Sequence, residues 1–167
     1  MDTTTTTFYM CNVLNSFFKN GFLYMNEKEK QSGGYTVWYT NFENNTSEYG
    51  TIFNVPYLSH GKDKYIQVYN SSFINNTASK FGGVIYSLGE YSGMRMNFTY
   101  CYFENNHAKY GNIVYAYSKE RAPEIENLNS MDISVIPSHF QMDEKGVEKI
   151  SILSGESIPK DIMCMLI

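Results

Sequence analysis

The sequence is poor in charged residues and contains no long apolar run. Asp, Glu, Lys and Arg account for 18% of its 167 residues, and the formal net charge is only −4. Because no basic face is present, the sequence predicts no binding to nucleic acid. No stretch of about 18 apolar residues occurs, so no transmembrane helix is predicted within this chain.

Cysteine is also scarce and shows no pattern. Cys11, Cys101 and Cys164 lie far apart and lack the Cys-x-x-Cys spacing of zinc and redox sites. We therefore predict no metal centre and no cofactor, and we interpret the cysteines as small buried side chains. The first ten residues lack the basic region and apolar core of a signal peptide. The last five residues, 163–167, are apolar and have no closing turn, so we expect a segment of a longer protein.

Aromatic residues, by contrast, are abundant, and the sequence repeats with a period of about 30 residues. Aromatics make up 16% of the chain, which favours pleated β structure over amphipathic helices. Three Phe-x-Asn-Asn blocks begin at Phe42, Phe73 and Phe103, which are 31 and 30 residues apart, and a shorter copy ends near Phe18. Each block is followed by a Gly and a short apolar strand. This arrangement predicts an all-β fold, a right-handed parallel β-helix of about four coils followed by a partial β-strand stub.

Equivalent side chains of successive coils should stack, since neighbouring strands lie about 4.8 Å apart. Apolar residues at a spacing of two indicate the inward face of a strand. The sequence predicts four interior columns: Cys11, Tyr35, Ile66 and Met96; Val13, Val37, Val68 and Phe98; Phe18, Phe42, Phe73 and Phe103; and Leu23, Ile52, Ile85 and Val114.

An asparagine follows each Phe anchor by two positions, where the strand must turn. These asparagines are Asn20, Asn44, Asn75 and Asn105. Asn tolerates a left-handed backbone, and its amide can bond to the backbone or to the next amide in register. We predict that these four residues form a structural ladder that pairs the polar groups of the corner.

The repeat resembles that of chlamydial-type polymorphic outer-membrane proteins and of large β-helical surface proteins of anaerobic microbes. These proteins repeat Phe-x-x-Asn and Gly-Gly-Ala followed by Ile, Val or Leu. Here Phe-x-x-Asn ends at Asn20, Asn45, Asn76 and Asn106, and Gly82-Gly83-Val84-Ile85 is close to the glycine motif. The resemblance covers about residues 11–118. It implies surface display or adhesion and an extracellular or cell-surface location, and it offers no catalytic residues to carry over to this chain.

The predicted organisation has four parts. Residues 1–10 are a polar N-terminal segment, and residues 11–118 form the β-helix. Residues 119–131 are charged and read as a linker. Residues 132–167, with short strands expected at 133–136, 149–153 and 161–167, are the start of a second β module.

Catalysis is not predicted, although polysaccharide lyases and hydrolases also use β-helices. Between residues 3 and 131 the only aspartate is Asp63. Glu43 and Glu104 share a column two coils apart, hence about 10 Å, beyond the spacing of hydrolase carboxyl pairs. Arg95 is expected to point outward without an acidic partner, and the three histidines lack ligand spacing. The alternative is a fragment of a polysaccharide-active protein whose catalytic coils are absent here.

Two outward-facing features have consequences for partners. Asn44, Asn45, Asn70, Asn75 and Asn97 open Asn-x-Ser/Thr sequons. Of these, Asn97 is the best glycosylation candidate, because it alternates with inward residues, whereas ladder amides are expected to be buried.

Exposed aromatics are the second feature. Trp38, Tyr69 and Tyr102 are predicted to form a stripe that either binds a partner or merely stiffens the sheet. The function predicted is a non-enzymatic surface or secreted scaffold for adhesion or display, with cell-surface glycans or proteins as partners.

Overall fold

The computed structural model of the chain describes residues 5–29, 33–58, 60, 65–126, 128, 133–136, 139–141 and 149–151. It is a parallel β-solenoid of about four turns, which confirms the predicted fold class. Four strands make up each full coil, and each strand pairs in parallel with its equivalents in the coils on either side.

The strands form four long sheets. The first contains β1 (Thr5–Tyr9), β5 (Gly34–Trp38), β9 (Ile66–Tyr69), β13 (Met96–Thr99) and β17 (Glu124–Ile125). The second contains β2 (Asn12–Leu14), β6 (Asn41–Glu43), β10 (Ser72–Ile74) and β14 (Tyr102–Glu104). The third contains β3 (Phe17–Phe18), β7 (Thr46–Tyr49), β11 (Thr77–Phe81) and β15 (His107–Tyr110). The fourth contains β4 (Leu23–Asn26), β8 (Phe53–Tyr57), β12 (Ile85–Ser87), β16 (Val114–Ala116) and β18 (Ile133–Val135).

The remaining described elements are short. A 3₁₀ turn covers Glu27–Glu29, and helix α1 covers Ser92–Arg95. Strands β19 (His139–Gln141) and β20 (Lys149–Ser151) pair antiparallel. Among the described residues, no helix is long and apolar enough to cross a membrane.

The solenoid extends past the predicted limits of 11–118 at both ends. β1 lies in the segment described from the sequence as a polar N-terminal segment, and it pairs with β5 along its whole length. β17, inside the predicted linker, pairs with β13, and β18 pairs with β16. The strand expected at 133–136 therefore continues the fourth sheet, whereas the one expected at 161–167 lies outside the described residues.

The register of the first coil differs from the prediction. Phe8 occupies the column of Val37, Val68 and Phe98, and Thr6 that of Tyr35, Ile66 and Met96, so Val13 and Cys11 do not belong there. Val13, in place of Phe18, is in register with Phe42, Phe73 and Phe103. Phe18 lies instead on the third sheet, opposite Ser47.

The fourth-sheet column also needs one correction. Leu23, Ile85 and Val114 are in register as predicted, but the second coil contributes Phe53 rather than Ile52. Both side chains are fully buried. Ile52 lies at the corner just before strand β8, and its side chain also faces the interior.

Stacked apolar columns make the core. Five side chains of these columns are completely buried: Val37, Phe42, Val68, Phe73 and Phe98. Burial of each such side chain contributes about 1.5–3 kcal/mol to the stability of the fold. The Phe42 and Phe73 rings are nearly parallel, with centroids 5.2 Å apart. Phe73 in turn stacks on Phe103, with ring centroids 4.9 Å apart.

Three kinds of corner separate the strands, and each is set by a left-handed residue. The first corner has Met10, Tyr39, Asn70 and Tyr100 at φ of 52°, 48°, 47° and 53°. The second has Asn15, Asn44, Asn75 and Asn105 at φ of 50°, 55°, 54° and 50°. The third uses Gly21, Gly50, Gly82 and Gly111, also at positive φ. Gly83 is required for a different reason, since a Cβ there would collide with the carbonyl oxygen of Asn112 on the next coil.

Candidate binding site

The asparagine ladder exists, but one residue later than predicted. Asn44, Asn75 and Asn105 are the exposed left-handed residues of the second corner, and Asn20 lies outside this column, near Gly21. The interior amides are those of the following residues: Asn45 and Asn76, which are completely buried, and Asn106, which is nearly so. A left-handed residue at a corner turns its own side chain outward, and the next side chain points inward.

The amides of Asn45 and Asn76 each join three coils, and that of Asn106 joins two. The Asn76 Nδ2 donates to Phe42 O at 2.9 Å and to Asn106 Oδ1 at 3.1 Å. Its Oδ1 accepts from the backbone N–H of Asn45 at 3.2 Å and from Asn45 Nδ2 at 3.0 Å. In the first coil Ser16 replaces asparagine, and its backbone N–H donates to Asn45 Oδ1 at 3.1 Å. The ladder amides are buried and uncharged and bond to one another and to the backbone, so the ladder stabilises the corner.

The sequons are presented differently from the prediction. Asn97 faces outward from β13, between buried Met96 and Phe98, and its Nδ2 donates to Thr99 Oγ1 at 3.1 Å. Asn44 and Asn75 are exposed, so ladder burial excludes only Asn45. Glycosylation of Asn97 stays a prediction.

The predicted aromatic stripe is divided between two sheets. Trp38 and Tyr69 are in register on the first sheet and stack at 4.2 Å with their planes inclined by 20°. The next residue of that column is Thr99. Tyr102 belongs instead to the second sheet, in register with Ser72, and so lies across the first corner from the other two.

Two further tyrosines, which the sequence did not single out, occupy that corner. Tyr39 and Tyr100 are left-handed residues, 50% and 70% exposed, on coils separated by the coil of Asn70. We call the surface formed by Tyr9, Trp38, Tyr39, Tyr69, Tyr100 and Tyr102 the aromatic corner. The sequence contained a signal for this surface. An aromatic residue at a corner that needs a left-handed backbone must point to solvent, because the turn directs its side chain outward.

A cleft of about 480 Å³ opens in the aromatic corner. Its sides include Tyr39, Tyr100 and Tyr102, and its floor includes Asn41, Asn70 and Ser72. Ser72 Oγ donates to Asn41 Oδ1 at 2.7 Å, and Asn41 Nδ2 donates to Glu43 Oε2 at 3.3 Å. These hydrogen bonds orient the side chains of Asn41 and Ser72.

The lining of the cleft is neutral throughout the described residues. Glu43 and Glu104 share a column with Ile74 between them, as expected, and both lie outside the lining. The Tyr102 hydroxyl donates to Glu104 Oε2 at 3.1 Å, and this hydrogen bond raises the pKa of Tyr102. Tyr102 is therefore a protonated phenol at neutral pH.

Arg95 was expected to point outward without a partner, and this is wrong. Its side chain is 2% exposed, its Nη1 lies 3.0 Å from Glu27 Oε2, and its guanidinium lies 3.6 Å from the centroid of the Tyr65 ring. This pair connects α1 to the 3₁₀ turn of the first coil and is structural in position. Within the described ranges, no group of three or more His, Cys, Asp and Glu residues could hold a metal ion.

Comparison with known families gives one match. Residues 70–88 match the repeat model of the Chlamydia polymorphic membrane protein. The matched segment begins at the first corner, passes through the ladder residue Asn76 and the Gly82-Gly83 corner, and ends after β12. No curated protein and no solved structure matches the chain.

Proposed function

We propose that the chain is a non-enzymatic segment of a cell-surface or secreted β-solenoid used for adhesion or surface display. The match of residues 70–88 to a polymorphic membrane protein repeat supports a surface setting. A solenoid of this kind presents a long side wall and tolerates loop insertions, which suits display of a binding surface.

The aromatic corner supports adhesion in particular. Six aromatic side chains gather at one edge of the solenoid, and three of them, Tyr9, Tyr100 and Tyr102, are more than half exposed. Tyrosine and tryptophan supply a large apolar area together with a polar tip, which is why they are enriched at binding interfaces. Exposed aromatics at this density favour contact with a partner over simple solvation.

Surface location is the decisive measurement. Intact cells that express the natural full-length protein should be labelled by an antibody against the outer side of β13, and external protease should remove that signal. Labelling only after permeabilisation would contradict the proposal. The same purified protein, incubated with pectin or alginate, should release no reducing or unsaturated sugar; release would favour the polysaccharide-active alternative.

A further inference from the structure

At the first corner, one coil lacks the aromatic ring that the coils on either side of it carry. The left-handed column of this corner runs Met10, Tyr39, Asn70, Tyr100, so the coil of Asn70 carries a short amide between two coils that each carry a phenol ring. Strands of adjacent coils lie about 4.8 Å apart, which puts the Tyr39 and Tyr100 backbones about 10 Å apart. Elsewhere in this solenoid, stacked rings on successive coils are 4.2 to 5.9 Å apart, as in Trp38–Tyr69 and Tyr86–Tyr115. The gap therefore has the thickness of one inserted ring.

The floor of the gap has hydrogen-bonding groups to offer. Ser72 Oγ uses its proton on Asn41 and retains lone pairs to accept a ligand hydroxyl. In the part of the chain that the structure describes, the side-chain amide of Asn70 forms no hydrogen bond, so it presents both donors and an acceptor. The cleft thus combines aromatic sides with a short row of neutral polar groups.

We propose that this cleft binds a neutral pyranose ring of a glycan, held between Tyr39 and Tyr100. A saturated sugar ring presents C–H groups on its faces and hydroxyls around its edge, which match aromatic sides and a polar floor. A charged ligand would meet no opposite charge among the lining residues. The volume of about 480 Å³ lies in the range of small-molecule sites, enough for a short oligosaccharide. The inference gives the proposed adhesion function a ligand class and rests on it for its biological meaning.

The chain carries its own reporter for this test. Trp38 is the single tryptophan, and its ring centroid lies 6.2 Å from that of Tyr39 and 4.2 Å from that of Tyr69. The complete 167-residue chain would be titrated with the methyl glycosides of glucose, galactose, mannose and N-acetylglucosamine. Methyl glucuronide serves as the charged comparison and N-acetyltyrosine amide as the aromatic one. We expect a saturable change in Trp38 emission with at least one neutral glycoside.

Two reciprocal substitutions separate binding from folding. Asn70→Tyr inserts the missing ring, and Tyr100→Asn removes one side of the cleft. Each places a residue type that the same column already accommodates at positive φ. Tyr100→Asn relieves left-handed strain, whereas Asn70→Tyr adds some, because asparagine tolerates this conformation better than tyrosine. Both should weaken glycoside binding at least ten-fold while thermal unfolding stays cooperative. Tyr117→Asn, a matched change at an exposed tyrosine outside the cleft, should bind as the unmodified chain does.

Several results would overturn the inference. Absence of a response to all four neutral glycosides would do so, as would unchanged binding in both Asn70→Tyr and Tyr100→Asn. Tighter binding of N-acetyltyrosine amide than of every glycoside would assign the cleft to peptides instead. A protein that is displayed on cells but binds no glycoside refutes this inference and leaves the proposed function standing. A glycoside-binding chain that is never displayed refutes only the function.

Discussion

Replacing Asn76 by alanine should destabilise the solenoid severely, because this side chain makes four buried hydrogen bonds to three other residues. It accepts two from Asn45 and donates one each to Phe42 O and Asn106 Oδ1. At a net contribution of about 1 kcal/mol per bond, the loss is about 4 kcal/mol, before counting the N–H of Asn45 that is left without an acceptor. Stabilities of natural domains are about 5–15 kcal/mol, so this is a large fraction.

Equilibrium unfolding in urea, followed by Trp38 emission, measures the effect. With a denaturant dependence of about 2 kcal/mol per molar, the midpoint should fall by about 2 M. The matched control is Asn75→Ala, one residue earlier. Asn75 is exposed at φ of 54°, so alanine there costs only the left-handed penalty, about 1–2 kcal/mol. If Asn75→Ala proves as damaging as Asn76→Ala, the ladder has been assigned to the wrong residues.

Measurable outcomes are also expected at three other sites. Glu27→Leu should lower the free energy of unfolding by about 3–5 kcal/mol, because it removes the carboxylate that faces buried Arg95. Adding Arg95→Met should restore most of this stability. A double variant that is no more stable in urea than Glu27→Leu alone would contradict this prediction. Burial raises the pKa of the Cys101 thiol to about 11 from 9.0, so iodoacetamide at pH 8 should label it slowly in the folded chain by peptide mass mapping. Because the unfolded thiol ionises first, the contribution of Cys101 to the unfolding free energy, measured as the difference from Cys101→Ser, should be constant below about pH 9 and fall between about pH 9 and 11; a rise in that difference would refute the assignment. Gly83→Ala should lower the thermal midpoint, at a cost of at least about 2 kcal/mol, since its Cβ meets the Asn112 carbonyl; an unchanged midpoint would argue against this packing.

The repeat could be recognised from the sequence because its corners are chemically distinctive. The Asn-Asn pairs at 44–45, 75–76 and 105–106 and the glycines at the third corner recur at a nearly constant interval. These positions fixed the period and the fold. They also placed Phe42, Phe73 and Phe103 in one inward-facing column, as the structure confirms.

The first coil was misaligned because it lacks those signatures. Val13 stands where later coils have phenylalanine, and Ser16 stands where they have the ladder asparagine. The only Phe-x-x-Asn letters in that coil, at 17–20, belong to the third sheet. Backbone geometry decides the alignment, since Asn15 takes the same left-handed conformation as Asn44. The pattern of residue types in the sequence does not reveal which asparagine takes that conformation.

The aromatic corner and the buried ion pair lay beyond the reach of periodicity for different reasons. Tyr39 and Tyr100 lie at turn positions, where inside–outside alternation stops, so strand-based counting could not assign them. Arg95 and Glu27 are 68 residues apart and belong to segments between strands of different coils. Such segments vary in length, and only three-dimensional packing shows which of them meet.

The constant spacing of the ladder has a consequence for how such a protein is made. Asn45 and Asn76 are 31 residues apart, and Asn76 and Asn106 are 30 apart, so each coil finds its template in the coil completed just before it. Folding can therefore propagate from any completed coil, adding one turn at a time. A solenoid built in this way can grow in length without any change in the contacts that each coil makes.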